Sequence, residues 1–412
     1  MTTAVETLNP GHLKLELTLK GLRLDESARG HSGTVLSSPD EGTPGVELVL
    51  PEEVWVSVPI DAHSPFVLRG SGDQFTLQGS GSPTGVRVIP PPSFYSRLTS
   101  RGTPMWRVAA VYGGFIAIHP AAACGYSLRG LPCRFCRNGS GVAIADGFPT
   151  VAEVVEVVRA AFAEGVVEFV YFNPAYVGSD DAGVAFLEPY IKAIKRHFDT
   201  LVAVQIHPPK SNRWIDRTYA MGVDALSYNV EIHDREILAR RCSGRVRYIG
   251  RERYYEALAY AAQVFPSGTV WSDLILGLES PSSTLAGIDT LVGSGVLPVL
   301  SVFRGAGGVL PWTDTAADAG ALGDLSAAGA IFEHLFHAVR HAKINMGWVR
   351  DLSFAITPLE ARFFAGDEAR MAVALQHFYR SKLGTLTARS LARLRRRLRV
   401  RTVSDSFDAS RL

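Results

Sequence analysis

The stretch "PTVAEVVEVVRAAFAEGVVEFVYFNP", residues 149–174, carries two periodicities back to back. Up to Gly165 its apolar residues repeat at helical spacing and stop at a glycine. From 166 it becomes a continuous apolar run, the pattern of a strand buried on both faces. The same alternation extends in both directions. "GGFIAIH" (113–119), "LVAVQIHP" (201–208), "VDALSYNVEI" (223–232), "TVWSDLILGLE" (269–279) and "VLPVLSVFRG" (296–305) read as strands. Helical patterns lie between and after them at 181–198, 212–222, within 234–264, at 283–295 and at 326–347. Six strand–helix units predict an α/β domain with a parallel sheet covered on its outer face, either doubly wound or a partial barrel.

Residues 1–105 read differently. Short runs such as "LKLELTL", "VELVLP" and "FTLQG" are separated by Gly, Ser, Pro and Asp, predicting a β-rich segment. It closes in "VIPPPSFYSRLTSRGTP" (88–104), where prolines suggest a strap or linker. The expected organisation is therefore 1–105 β-rich, 106–345 α/β and 346–412 a helical extension. The chain has 412 residues, 47% hydrophobic and 20% charged, with net charge +2, the balance of an ordinary globular enzyme. That charge is too small to argue for nucleic acid as a partner of the whole chain. Its 35 arginines against 7 lysines are a compositional skew without a mechanism. Neither a membrane span nor a secretory signal is visible, so a cytoplasmic location is expected.

Ligands of parallel α/β sheets bind at the carboxyl ends of the strands, and polar residues collect there. Strand two ends in Asn173, strand three in Gln205 and His207, strand five in Gly277 and Glu279, strand six in Ser301 and Arg304. In strand four Ser227, Asn229 and Glu231 alternate and so share a face, which is costly to bury without a ligand or a network.

The loop after the first of these strands reads "CGYSLRGLPCRFC", with Cys124, Cys133 and Cys136. The fourth cysteine, Cys242, stands in "RRCSGR". Three clustered thiols in a reducing compartment suit zinc, an iron–sulfur cluster or redox chemistry rather than a disulfide framework. Structural zinc wants four closed ligands, and a fourth would have to be Cys242 or His119. Three thiolates on an iron–sulfur cluster leave one iron open.

These features resemble the radical S-adenosylmethionine (radical SAM) superfamily. Its members carry three cysteines, commonly C-x3-C-x2-C with an aromatic residue before the last, after the first strand of a partial (β/α)6 barrel. "CRFC" with Phe135 matches the second half, while the first half is C-x8-C, so subfamily and reaction stay open. "WSDLILGLE" resembles the fifth-strand segment with Gly277 close to adenosine, "SYNVEIHD" the fourth-strand end with Glu231 toward the ribose, and "GVLPVLSVFRG" the sixth strand beside adenine. Where the family often has Gly-Gly-Glu, this chain has "FNPAYVG", with Asn173 as the substitute. The resemblance covers residues 108–305 and implies a fold: a partial (β/α)6 TIM-like barrel with an N-terminal β-rich segment and a C-terminal helical extension.

It also implies a [4Fe–4S] cluster on Cys124, Cys133 and Cys136 and S-adenosyl-L-methionine among Phe135, Asn173, Ser227, Asn229, Glu231, Gly277, Glu279, Ser301 and Arg304. The chemistry is reductive cleavage to a 5′-deoxyadenosyl radical that abstracts hydrogen from a small-molecule substrate. An electron donor such as flavodoxin or ferredoxin completes the set. His207 and Cys242 are the candidate catalytic groups, with Tyr171 and Tyr228 as lesser hydrogen donors. Neither a second cluster nor a cobalamin domain is expected.

Two features have plainer readings. His334, His337 and His341 share a helix face, which a polar flank explains as well as a metal site does. The tail "LTARSLARLRRRLRVR" (386–401) reads as a helix lying on the protein, with no membrane or nucleic-acid partner expected. The alternative is a non-catalytic zinc or iron–sulfur protein whose basic tail binds nucleic acid.

Overall fold

In the computed structural model, residues 9–29, 36–37, 44–71, 74–79, 82–119, 124–136, 148–165, 167–303 and 325–402 are described. Two sheets share one wedge, the helix Pro10–Lys20. Asn9 starts it by accepting the N–H groups of Gly11 (3.0 Å) and His12 (3.3 Å), with Pro10 in the first turn. Gly21, at φ +66°, ends it. Leu13 and Leu17 enter the core of the N-terminal sheet, while Leu15 and Leu19 enter the core of the larger sheet. The strand reading of "LKLELTL" is therefore wrong. Leucines two apart lie about 200° apart around a helix, so a helix buried between two cores alternates just as a strand does. Each buried leucine contributes about 1.5–3 kcal/mol.

The N-terminal sheet contains β1 (Arg23–Leu24), β2 (Leu36–Ser37), β3 (Pro44–Leu50), β4 (Val54–Pro59), β5 (Val67–Ser71), β6 (Gln74–Gln78) and β7 (Thr84–Ile89). Its order is β1-β5-β6-β7-β3-β2, with β4 also paired to β3. All seven of these strands fall between Arg23 and Ile89. The proline strap that follows is tied down by carboxylates of the helix Val151–Ala163 and its C-cap, Glu164. Glu164 accepts from Ser93 and Phe94, and Glu153 accepts from Thr103 Oγ1 at 2.6 Å. Glu153 also closes a capping box with Thr150.

The larger sheet runs in strict sequence order: β8 (Ala109–Tyr112), β9 (Phe115–Ile118), β10 (Phe169–Phe172), β11 (Leu201–Gln205), β12 (Ala225–Ser227), β13 (Val270–Leu276), β14 (Leu297–Val302) and β15 (Ala355–Ile356). β9 to β14 pair in parallel and are the six expected strands. β8 and β15 pair antiparallel at the two edges, an addition that the sequence pattern did not indicate. The fold is mixed α/β with two curled, half-barrel sheets. Among the described residues no helix is long and apolar enough to cross a membrane.

The fourth parallel strand is shorter than its apolar run implies. It stops at Ser227, and the chain beyond it meets β13 through a Glu231–Leu274 bridge and through hydrogen bonds from Val230 N–H to Ser272 Oγ (2.9 Å) and from Asp273 N–H to Asn229 Oδ1 (3.3 Å). The C-terminal segment is not a detached extension. β15 belongs to the large sheet, Ser57 donates its N–H to Ser353 O at 2.8 Å, and Ser353 Oγ donates to Glu47 at 3.0 Å. The last helix, Lys382–Thr402, lies across the amino ends of the strands. Arg396 reaches Asp224 (3.0 Å), Tyr219 O and Val223 O, Arg389 reaches Asp199 (2.5 Å), and Arg395 reaches Phe265 O. Arg389, Arg395 and Arg396 thus hold the tail on the protein.

One buried ion pair ties the wedge to that C-terminal segment. Lys14 Nζ lies 2.7 Å from Glu360 Oε1 and donates to Leu352 O at 2.6 Å, with both side chains almost fully enclosed. Burial pushes the Glu360 carboxyl above its ordinary range, and Lys14 opposes that shift. Removing one partner of such a pair strands the other charge. Lys14→Met is therefore expected to cost about 3–5 kcal/mol in urea denaturation. A cost below about 1 kcal/mol would show that the pair does not join the two sheets.

Candidate functional site

The loop carrying the cysteines sits over the carboxyl ends of the parallel strands. Cys124 precedes a short helix, Gly125–Leu128. Gly130, at φ +69°, then reverses the chain, and Leu131 donates its N–H to Tyr126 O at 2.9 Å. The eight residues between Cys124 and Cys133 are thus one helical turn and a reversal. Buried Tyr126 pins them, its ring stacked on Tyr176 with centroids 3.8 Å apart. Cys133 and Cys136 share a turn, with Cys136 donating its N–H to Cys133 O at 3.1 Å.

This loop rests on residues 241–245. Arg134 donates its N–H to Arg241 O at 2.9 Å, and a Cβ on Gly244 would come within 2.6 Å of Leu131 O. Only glycine permits that approach. Cys242 is buried in hydrogen-bonding contact with Cys133. This contact brings the Cys133 thiol down to about 7, with burial opposing and Arg245 assisting. The same contact, together with burial, pushes Cys242 up.

Arg245 organises the site. Its Nη2 lies 2.6 Å from Glu231 Oε2, and its Nη1 donates to Asn229 O at 2.7 Å. Burial works against its charge, and the Glu231 carboxylate more than compensates, holding the guanidinium above its ordinary range. Glu231 itself stands at φ +66°, a costly conformation for a residue with a side chain. His207 is kept neutral by burial, with Arg245 adding to the effect. Its Nδ1 lies 2.6 Å from the Tyr254 hydroxyl, and its ring stands edge-on to Tyr126 and Tyr176.

Below this cluster a strip of polar side chains crosses the sheet. Tyr171 donates its hydroxyl to Gln205 Oε1, and Ser227 donates to Asn229 Oδ1. Ser301 donates to Asp273 through Oγ (2.6 Å) and N–H (3.0 Å). Burial pushes Asp273 up to about 7, with Ser301 opposing and Glu231 reinforcing.

The remaining sequence candidates divide. Ser227 and Asn229 do share a face, and Glu231 turns toward Arg245. Phe135 packs beside Cys133 and Cys242. Asn173 spends its side chain on a local turn, accepting Ala175 N–H at 3.1 Å. The buried Glu279 carboxylate accepts from His233 N, Asp234 N and Ser283 Oγ, bracing the entry to the helix Arg235–Arg241. Gly277 is at φ +97°, which by itself accounts for a glycine there. Arg304 lies outside the described residues. Tyr228 is buried, and His334 pairs with Asp289 at 2.7 Å on the surface.

Cys124, Cys133 and Cys136 are free thiols on one loop at one end of the sheet, a donor set that fits three-thiolate ligation in kind and place. They are not gathered into a ready-made site. Among the described residues no three His, Cys, Asp or Glu side chains come close enough to hold a metal ion.

No protein-family model matches this chain, and no curated protein matches its sequence. Among solved structures, it is similar to a radical SAM methyltransferase from Sphaerobacter thermophilus, at 13% identity and a TM-score of 0.36. The match covers 68% of this chain and 75% of that one. A likeness of that extent says nothing about the chemistry of this chain.

Arg245, Tyr126, Tyr176, Tyr254 and Asp273 were missed as site residues by the sequence pattern. Asp273 alone left a signal, a lone carboxylate inside the apolar run "VWSDLIL". Its folded-state value exceeds the ordinary 3.8, so the folded protein binds the extra proton between about pH 4 and 7. Stability from this group is full below that window and falls as pH rises through it. Comparing wild type with Asp273→Asn by chemical denaturation, the wild type should lose up to about 4 kcal/mol relative to the variant between pH 4 and 8. Parallel pH profiles would show that Asp273 titrates normally.

Proposed function

We propose that this chain is a radical SAM enzyme acting on a small molecule, with Cys124, Cys133 and Cys136 as ligands of a [4Fe–4S] cluster. One observation carries the reading. The three-cysteine loop lies over the carboxyl ends of six parallel strands in sequence order, β9 to β14. That arrangement supports a partial (β/α)6 barrel at 106–345, flanked by a β-rich domain at 1–105 and a helical segment at 346–412. Cys124, Cys133 and Cys136 would hold the cluster, which when bound would supply the one-electron chemistry for reductive cleavage of S-adenosylmethionine.

The residues of this chain bind and orient. Glu231, held by Arg245, offers an acceptor for hydroxyl groups at the end of the fourth parallel strand. The Tyr126–Tyr176 stack and His207 give the site a dry aromatic wall that excludes water from a reactive intermediate. His207, neutral and bonded to Tyr254, is a fixed hydrogen-bonding group rather than a charge. Cys242, against Cys133, positions that ligand. A flavodoxin- or ferredoxin-type protein is the electron donor.

Anaerobic reconstitution with iron and sulfide tests the reading. The protein should turn brown with about four irons per chain. With a strong reductant and S-adenosylmethionine, mass spectrometry should detect 5′-deoxyadenosine, and Cys133→Ala should abolish it. A colourless protein that purifies with zinc and yields no nucleoside product would overturn the proposal.

A further inference from the structure

At the amino ends of the strands, opposite the cysteines, the large sheet encloses a cavity of about 310 Å³. Its walls are mainly aromatic and aliphatic, with Phe115, Phe169, Trp271, Trp348 and Phe354 among them. The last helix closes one side through Ala388, Leu391 and Ala392. The roof is the polar strip: Tyr171, Gln205, Asn229 and Asp273 all reach the cavity.

The hydrogen bonding of that roof is incomplete in one sense only. Gln205 Oε1 accepts from Tyr171, and Asn229 Oδ1 accepts from Ser227 and from Asp273 N–H at 3.3 Å. Both amide oxygens are used. Among the described residues the amide nitrogens Gln205 Nε2 and Asn229 Nδ2 have no partner. An apolar chamber of this size with two unused donors on its roof suits a ligand that pairs them while its apolar part packs on the walls.

We infer that this cavity binds a ring-bearing small molecule whose carbonyl or hydroxyl oxygen accepts hydrogen bonds from Asn229 and Gln205. Rings match the aromatic walls. An oxygen acceptor matches the donors. The strip is also the boundary between this chamber and the Arg245–Glu231 site above it. A molecule anchored there presents its polar end toward that site. Its role as substrate rests on the proposed radical SAM reaction, whereas its binding does not.

Prodan, a neutral naphthalene ketone whose emission shifts blue in apolar surroundings, is a suitable probe for the full-length protein without iron. Saturable blue-shifted emission at one probe per chain is expected. Ala392→Trp, on the tail-helix wall, should weaken binding at least tenfold with the melting temperature unchanged. Ala203→Phe, on β11, provides a second filling variant should the first disturb the helix. N,N-dimethyl-2-naphthylamine, which lacks the carbonyl, should bind at least tenfold more weakly. Absence of saturable binding to wild type, or binding that survives both filling substitutions, overturns the site, and equal affinity for the two probes overturns the oxygen recognition. Because no measurement uses the cluster, loss of this inference leaves 5′-deoxyadenosine formation untouched, and the reverse also holds.

Discussion

The upper end of the large sheet depends on one buried ion pair, Arg245 with Glu231. Taking two charges out of water is expensive, and close attraction between them is what offsets that cost. Here Arg245 also donates to Asn229 O, so three segments that would otherwise be independent are held together. These are the end of the fourth parallel strand, the helix Ser243–Tyr248 and, through Gly244 and Cys242, the cysteine loop. The positive φ of Glu231 is the strain that this pairing sustains. Without Arg245 there would be no reason for the chain to turn its carboxylate inward at that point.

Much of the fold was legible because buried parallel strands and amphipathic helices leave opposite signatures. The run at 149–174 contains both, and the six strands stand where that alternation puts them. The failures have physical causes as well. "LKLELTL" alternates because it serves two cores as a helix, and nothing local distinguishes that from a half-buried strand. The edge strands β8 and β15 are too short to carry a periodic signal, and they exist because an open parallel sheet needs its edges covered.

The site was legible in part for similar reasons. Cysteine spacing announces itself, and a polar row on an apolar strand is costly enough to notice, so Cys124, Cys133, Ser227 and Asn229 stand out in the sequence as candidates. Arg245 could not be, because one arginine among 35 has no signature until the fold brings Glu231 to it. Tyr126 lies inside the cysteine loop, where its neighbours Gly125 and Ser127 made it look like part of a turn. Its stacking on Tyr176 comes from the loop after the next parallel strand, a contact fifty residues away in sequence. Glu279 shows the converse. It stands in the most family-like segment, yet three hydrogen bonds to the 233–234 backbone and to Ser283 explain it without any ligand.

The polar strip explains why the large sheet has two distinct ends rather than one continuous core. A core filled with apolar side chains would join the two ends and stabilise the fold more simply. Instead Tyr171 pairs with Gln205 and Asp273 with Ser301 across neighbouring strands, while Ser227 pairs with Asn229 two residues along the chain. The pairing offsets most of the cost of burying them and leaves a polar floor beneath the Arg245 site and a polar roof above the aromatic chamber. Asp273 belongs to both levels, since it feels the charge of Glu231 above and lines the cavity below. A sheet partitioned in this way can keep a charged, polar site apart from an apolar one while leaving them only a side chain's thickness from each other.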